Sequence, residues 1–247
     1  MSTILITGAS SGYGHEIALH FHAKGWDVIA TMRRPVPGLL PESDRMRLLP
    51  LDVTDEASIA ASVAAAGPID VLVNNAGVGM GGAFEASTLR DIRRIFDTNT
   101  FGVMAMTQAV LPGMRERGSG VVVNITSSAT LAAFPFAAPY TASKTAIEGF
   151  SEALAPELAP LGLRVKLVEP GLGVNTRFAQ NSGFDAAAHI PPAYASHAAE
   201  VFARRPSVTT KETDVAEAVW RAAHDTTGQL RFPAGADALE LWERRNR

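Results

Sequence analysis

Short runs of apolar residues recur along this chain, and stretches with helical spacing separate most of them. "TILIT" (Thr3–Thr7), "DVIAT" (Asp27–Thr31), "MRLLPLD" (Met46–Asp52), "IDVLVN" (Ile69–Asn74), "GVVVNIT" (Gly120–Thr126), "LRVKLVE" (Leu163–Glu169) and "QLRFP" (Gln229–Pro233) read as strands. Most of these are near-continuous Val, Ile and Leu, the pattern of strands covered on both faces. Helices are predicted at about Gly12–Lys24, Asp55–Ala66, Leu89–Arg117, Tyr140–Leu161 and Lys211–His224. Strand–helix–strand succession predicts parallel strands joined by right-handed crossovers. The expected fold class is α/β: a doubly wound, mostly parallel sheet with helices on both faces, in a single domain. Such sheets bind ligands beyond the carboxyl ends of their strands.

The 247 residues suffice for one well-buried core, and 47% hydrophobic against 19% charged residues is a globular balance. A net charge of −3 provides no basic field, so neither nucleic acid nor an anionic membrane is an expected partner. Without cysteine there is no disulfide, thiolate metal site or cysteine nucleophile. His15, His20, His22, His189, His197 and His224 form no metal-ligand spacing, and no metal is expected; His20 and His22 are expected near a helix surface. The opening "MSTILITGAS" lacks a basic segment and a long apolar run. Neither a signal peptide nor a membrane span is expected, and the cytoplasm is the expected location.

Two short segments carry chemistry. "TGASSGYG" (Thr7–Gly14) follows the first strand and places glycines at 8, 12 and 14. Glycine lets backbone turn tightly and approach a phosphate. A helix starting there adds N–H groups and a positive dipole end, so a pyrophosphate is a fitting ligand. "PYTASKTA" (Pro139–Ala146) sets Tyr140 and Lys144 one helical turn apart. A nearby cation stabilises a phenolate, so the pair suits acid–base work; alone, it is equally a solvated Tyr and Lys.

Together these segments resemble the short-chain dehydrogenase/reductase family. "TGASSGYG" is similar to its T-G-x-x-x-G-x-G cofactor motif, "NNAG" (Asn74–Gly77) to its second signature, "YTASK" to its Y-x-x-x-K, and Pro170–Gly171 to a further one. The match runs in order over essentially the whole chain. The resemblance implies that Tyr140 is the acid/base and that Lys144, with an oxidised nicotinamide, lowers its pKa and binds the ribose. It implies that Ser127 in "NITSSAT" orients the substrate oxygen, with Ser128 as its neighbour. It implies that Asn99 in "DTNTFG" supports a water relay behind Lys144.

The same resemblance implies a cofactor site built from Gly8, Ser10, Ser11, Tyr13 and Gly14 in the turn, Thr31 and Arg33 after the second strand, and Asp52 and Val53 near the adenine. Asn74, Ala76, Gly77, Tyr140, Lys144, Pro170, Gly171 and Thr176 complete it. An NAD site commonly places an acid at the end of the second strand. Here Thr31 stands there, no acid follows before Glu42, and Arg33 and Arg34 suit a 2′-phosphate. NADP(H) is therefore the expected cofactor and NAD(H) the second choice.

Met80, Phe134, Phe136, Phe178, Phe184 and Tyr194 lie in segments that are variable in the family, and the post-PG stretch at about 172–210 reads as a lid. Arg177, Arg204 and Arg205 in it would meet an acidic substrate or face solvent. The expected function is interconversion of a ketone or aldehyde and an alcohol on a lipophilic or aromatic small molecule. One alternative is an NAD-dependent sugar or steroid alcohol dehydrogenase. Another is a non-redox protein of this fold, dehalogenase-like or a cofactor-sensing regulator; the intact glycine turn, Tyr140 and Lys144 count against it. The resemblance also implies a homo-oligomer, dimer or tetramer. Pro156 is expected to kink the catalytic helix or end it early.

Overall fold

The seven apolar runs form strands β1 (Thr3–Ile6), β2 (Asp27–Met32), β3 (Met46–Pro50), β4 (Val71–Asn74), β5 (Gly120–Ile125), β6 (Leu163–Pro170) and β7 (Arg231–Ala234). The computed structural model describes residues 2–173, 178, 185, 187–203 and 208–245. All seven strands join one sheet of order β3-β2-β1-β4-β5-β6-β7, and every pairing is parallel. The order turns back at β1: β2 and β3 step to one side, β4 to β7 to the other. That reversal opens a crevice beyond the carboxyl ends of β1 and β4.

Successive strand residues face opposite sides, and the core divides accordingly. Ile4, Ile6, Val71, Val73, Val121 and Val123 pack beneath helices α1 (Gly12–Ala23) and, in chain order, α7 (Glu212–His224). Leu5, Leu72, Val122 and Val165 pack beneath α2 (Glu56–Ala66), α4 (Gly102–Arg117) and α5 (Ala138–Leu158). Among the described residues the further helices include α3 (Leu89–Phe96), α6 (Ala195–Ala203) and α8 (Ala236–Arg245). Asp55 caps α2 by accepting from Ala57 N and Ser58 N, which is why that helix begins at Glu56.

Three details bear on the expectations. The helical run from Leu89 is not uniform: a π-turn, Asp97–Phe101, separates α3 from α4 and turns Asn99 and Thr100 inward. Such turns recur at functional sites. Pro156 lies within α5, whose regular helix ends two residues later at Leu158 and continues as a 3-10 turn. Helix α8 was not expected, although its acidic first turn and basic last turn suit the helix dipole. His20 and His22 are half-buried, and His20 packs edge-on to Trp220. No helix among the described residues is long and apolar enough to cross a membrane.

Candidate active site

A cleft of 660 Å³ lies along the carboxyl edge of the sheet. Gly8, Ser10, Ser11 and Tyr13 line one end with Arg33, Asp52 and Val53; Ala76 and Gly77 lie between; Ser127, Tyr140, Lys144, Pro170 and Gly171 line the other. Fourteen of the residues expected from sequence thus meet in one place.

The glycine turn is shaped for close approach. Gly8 has φ +72°, and a Cβ on it would lie 2.9 Å from Ala76 Cα. Thr7 Oγ1 accepts from Asn75 N at 3.0 Å and Ala76 N at 2.9 Å, tying the ends of β1 and β4 together. Asn75 Nδ2 donates back to the Thr7 and Gly8 carbonyls. Neither Thr7 nor Asn75 was singled out from sequence, although both stand inside the quoted motifs. At the far end Asp52 accepts from Thr54 N at 3.0 Å and Thr54 Oγ1 at 2.7 Å. Burial works to raise its carboxyl, but the Thr54 hydrogen bonds and the Arg33 charge outweigh this and hold it below the ordinary range.

Ser127 is the N-cap of a 3-10 turn after β5, and its Oγ accepts from Ala129 N at 3.2 Å. It also hydrogen-bonds the Tyr140 hydroxyl. Burial pushes the Tyr140 phenol up, and the Ser127 hydrogen bond opposes that shift. Lys144, 4% exposed, donates from Nζ to the Ile125 carbonyl at 2.8 Å, and burial pulls its ammonium down to about 8.

Asn99 does not line the cleft. It is fully buried behind it, where Oδ1 accepts from Val78 N at 2.8 Å and Nδ2 donates to Val78 O and Ser143 Oγ. A Cβ on Gly77 would meet Asn99 Oδ1 at 3.3 Å and Lys144 Nζ at 3.4 Å, so Gly77 lies against both.

Three cofactor-site candidates turn away from the cleft. Thr31 is fully buried and donates to the Ile6 carbonyl at 2.9 Å. Asn74 is buried, and its Nδ2 donates to Thr107 Oγ1 at 3.0 Å and Asn124 Oδ1 at 2.9 Å. A Cβ on Gly14 would lie 2.4 Å from the Gly8 carbonyl and 2.5 Å from Asn75 Nδ2, so Gly14 lets α1 pack against the turn. Strand alternation explains Asn74: its side chain belongs to the face beneath α4 and α5.

Tyr13 stands over the cleft, and its hydroxyl reaches the Gly171 carbonyl at 3.5 Å; burial pushes its phenol up. The Gly171 loop is held from α8: Asp237 accepts from Leu172 N at 2.7 Å and from Thr210 Oγ1 at 2.7 Å. A Cβ on Gly171 would collide with the Asp237 carboxylate. Thr176, Arg177, Phe184, Arg204 and Arg205 lie outside the described residues.

Of the apolar candidates, Phe134 and Phe178 line the cleft. The Phe178 ring stands edge-on to Tyr140 at 5.8 Å, in space left open by Gly79. Met80 is buried outside it. Phe136 and Tyr194 form a separate aromatic group with His197 and Phe202.

The family model described as short chain dehydrogenase matches residues 2–186. The chain belongs to the short chain dehydrogenase family. Among members, a 3-ketodihydrosphingosine reductase of Bacteroides thetaiotaomicron is 42% identical over 72% of this chain and 66% of its own length. Human retinol dehydrogenase 8 is 40% identical over 68% of this chain and 58% of its own length. The chain thus matches about two thirds or less of the length of these curated relatives. A crystallised short-chain dehydrogenase from Streptomyces avermitilis superposes with a TM-score of 0.84 at 37% identity, covering 99% of this chain and 92% of that one. Short chain dehydrogenases of the same shape have been solved with either cofactor. A serine dehydrogenase holds NADP+ (TM-score 0.79, 30% identity, 95% of each chain). A Burkholderia phymatum enzyme holds NAD (0.81, 25%, 98% of this chain and 92% of that one).

Proposed function

We propose that this short chain dehydrogenase interconverts a ketone or aldehyde and an alcohol, using NADP(H) in preference to NAD(H). One observation carries the reading: the hydrogen-bonded Ser127–Tyr140 pair shares its cleft with the glycine turn. The residues fit a dinucleotide: backbone at Gly8 pressed against Ala76, the N-terminus of α1, and polar side chains Ser10 and Ser11 on the cleft wall. When bound, the nicotinamide supplies the hydride. Tyr140 donates a proton to the carbonyl oxygen as charge develops there, or takes one from the alcohol in reverse. Ser127 holds that oxygen by its hydroxyl. Lys144, buried and positive below about 8, holds the ribose hydroxyls and keeps positive charge near the phenol. Asn99 fixes the Val78 segment behind Lys144 and, with it, the relay path for protons.

The cofactor preference rests on Arg33 at the mouth, with no acid at the end of β2. Phe134 and Phe178 beside Tyr140 support a lipophilic or aromatic substrate, as do the names of the ketodihydrosphingosine and retinol relatives. The segment at 172–210 is the substrate lid, and the protein works as a homo-oligomer in the cytoplasm. The test is calorimetric titration with NADPH and NADH in parallel, followed by a panel of lipophilic ketones. Tighter NADPH binding and oxidation of NADPH by a panel ketone are expected. Tighter NADH binding would remove the role given to Arg33, and binding of neither would overturn the redox reading.

A further inference from the structure

Behind the Ser127 turn lies a group of charged residues that the reaction does not use. Glu148 is one turn beyond Lys144 on α5, and Glu169 immediately precedes Pro170 on β6. They are 4% and 0% exposed. One guanidinium serves both: Arg231 Nη1 donates to Glu148 Oε2 at 2.6 Å and to Glu169 Oε1 at 2.5 Å. Its Nη2 is committed outward to the exposed Glu152 at 2.6 Å. Two ionised carboxylates over a single cation leave net charge in the interior, a costly state that a bound proton relieves.

Two hydrogen-bond counts point to that proton. Glu169 Oε2 is buried, and no donor among the described residues reaches it. An ionised carboxylate oxygen only accepts, so this one is left buried without a partner. Thr130 Oγ1, next, stands 2.7 Å from the Ser127 carbonyl and 2.5 Å from Glu148 Oε1. A hydroxyl has one proton to give. Both contacts close together only when the carboxyl donates to Thr130 and Thr130 donates to Ser127.

We propose that Glu148 and Glu169 hold one proton between them and, through Thr130, set the position of the turn that carries Ser127. Glu148 is then a positioning residue: it acts on Ser127 through Thr130 and on the Pro170–Gly171 loop through Arg231 and Glu169. The surrounding charges are few. On α5, Lys144 faces the Ile125 carbonyl and Glu152 faces Arg231; β7 contributes Arg231; α8 contributes Arg245, which donates to the Thr130 carbonyl. The direction of the Glu169 shift agrees, raised by burial and then by the Glu148 charge.

The role of Ser127 rests on the oxidoreductase reading; the proton does not, so the first measurement needs no turnover. Infrared spectra of the protein alone at pH 7 are expected to show a carboxylic-acid carbonyl band that titrates away as pH rises. Glu148→Gln or Glu169→Gln is expected to remove or shift it. A wild-type protein without that band, or a band unmoved in both variants, overturns the shared proton. Turnover with an active panel ketone then tests positioning, with thermal melts confirming folding. Glutamine at 148 imitates the protonated acid: it donates to Thr130 and accepts from Arg231. Glu148→Gln is expected within about threefold of wild type, without the alkaline fall that follows loss of the band. Glu148→Ala is expected to lose more than about tenfold, as misplacement of a catalytic group does. Equal loss in the glutamine and alanine variants would mean a plain ion pair and would overturn the positioning role.

Discussion

The face of the sheet beneath α1 and α7 and the face beneath α4 and α5 bury their residues by different means. Under α1 and α7 apolar contacts dominate, with the buried Lys166 paired to Asp225 as an exception, and Phe21, fully buried, stands 5.1 Å from both Trp26 and Trp220. Under α4 and α5 the same close packing is interrupted by polar side chains. Asn74, Asn124 and Ser151 form a chain of hydrogen bonds, Asn99 reaches Ser143, and Glu148 meets Thr130 and Arg231. Apolar contacts fix volume and tolerate repacking, whereas a buried hydrogen bond also fixes direction. Tyr140 and Lys144 belong to the helix on the directional face, and Ser127 sits on the turn tied to it.

The sharpest way to break the contrast is on the apolar side. Phe21→Ala is expected to cost about 3–5 kcal/mol in urea unfolding, the range for a buried aromatic. Turnover per folded molecule should remain as in wild type; a parallel fall in turnover would show that the two faces are not separable. On the other face, Tyr140→Phe is expected to reverse the pattern. Turnover should drop at least about a hundredfold, or about 2.7 kcal/mol, while the melting temperature and NADPH affinity stay close to wild type. Retained turnover would place the proton donor elsewhere.

The smallest effect is in pH. Folding raises the Glu169 carboxyl from 4.5 to about 7. A raised carboxyl contributes stability that is fully present below its unfolded value and is lost as pH climbs through the folded one. Wild type should therefore lose stability between about pH 4.5 and 7 relative to Glu169→Gln. Parallel urea curves across that window would refute the assignment.

How much of this was legible beforehand follows from what each residue does. The strands announce themselves because both faces are covered, so Val121–Val123 could be placed without any structure. Tyr140, Lys144, Ser127 and the glycine turn follow because motif spacing reports positions along the backbone. Spacing does not report which way a side chain turns: Thr31 and Asn74 occupy motif positions and point into the interior. Glu148, Glu169 and Arg231 were illegible for another reason. They stand 21 and 62 residues apart in sequence, and an isolated Glu at a strand end has no local mark of burial. The π-turn at Asn99 likewise has no signal in a run of otherwise regular helical spacing.

Asp237 on α8 holds the Leu172 backbone and Thr210, and Arg231 on β7 holds the two buried glutamates. Both follow β6 in sequence, so the segments they brace are made before their braces are. A single domain folds as a unit. Glu148, Glu169 and the Leu172 backbone therefore find these partners only once residues 231 and 237 have been synthesised.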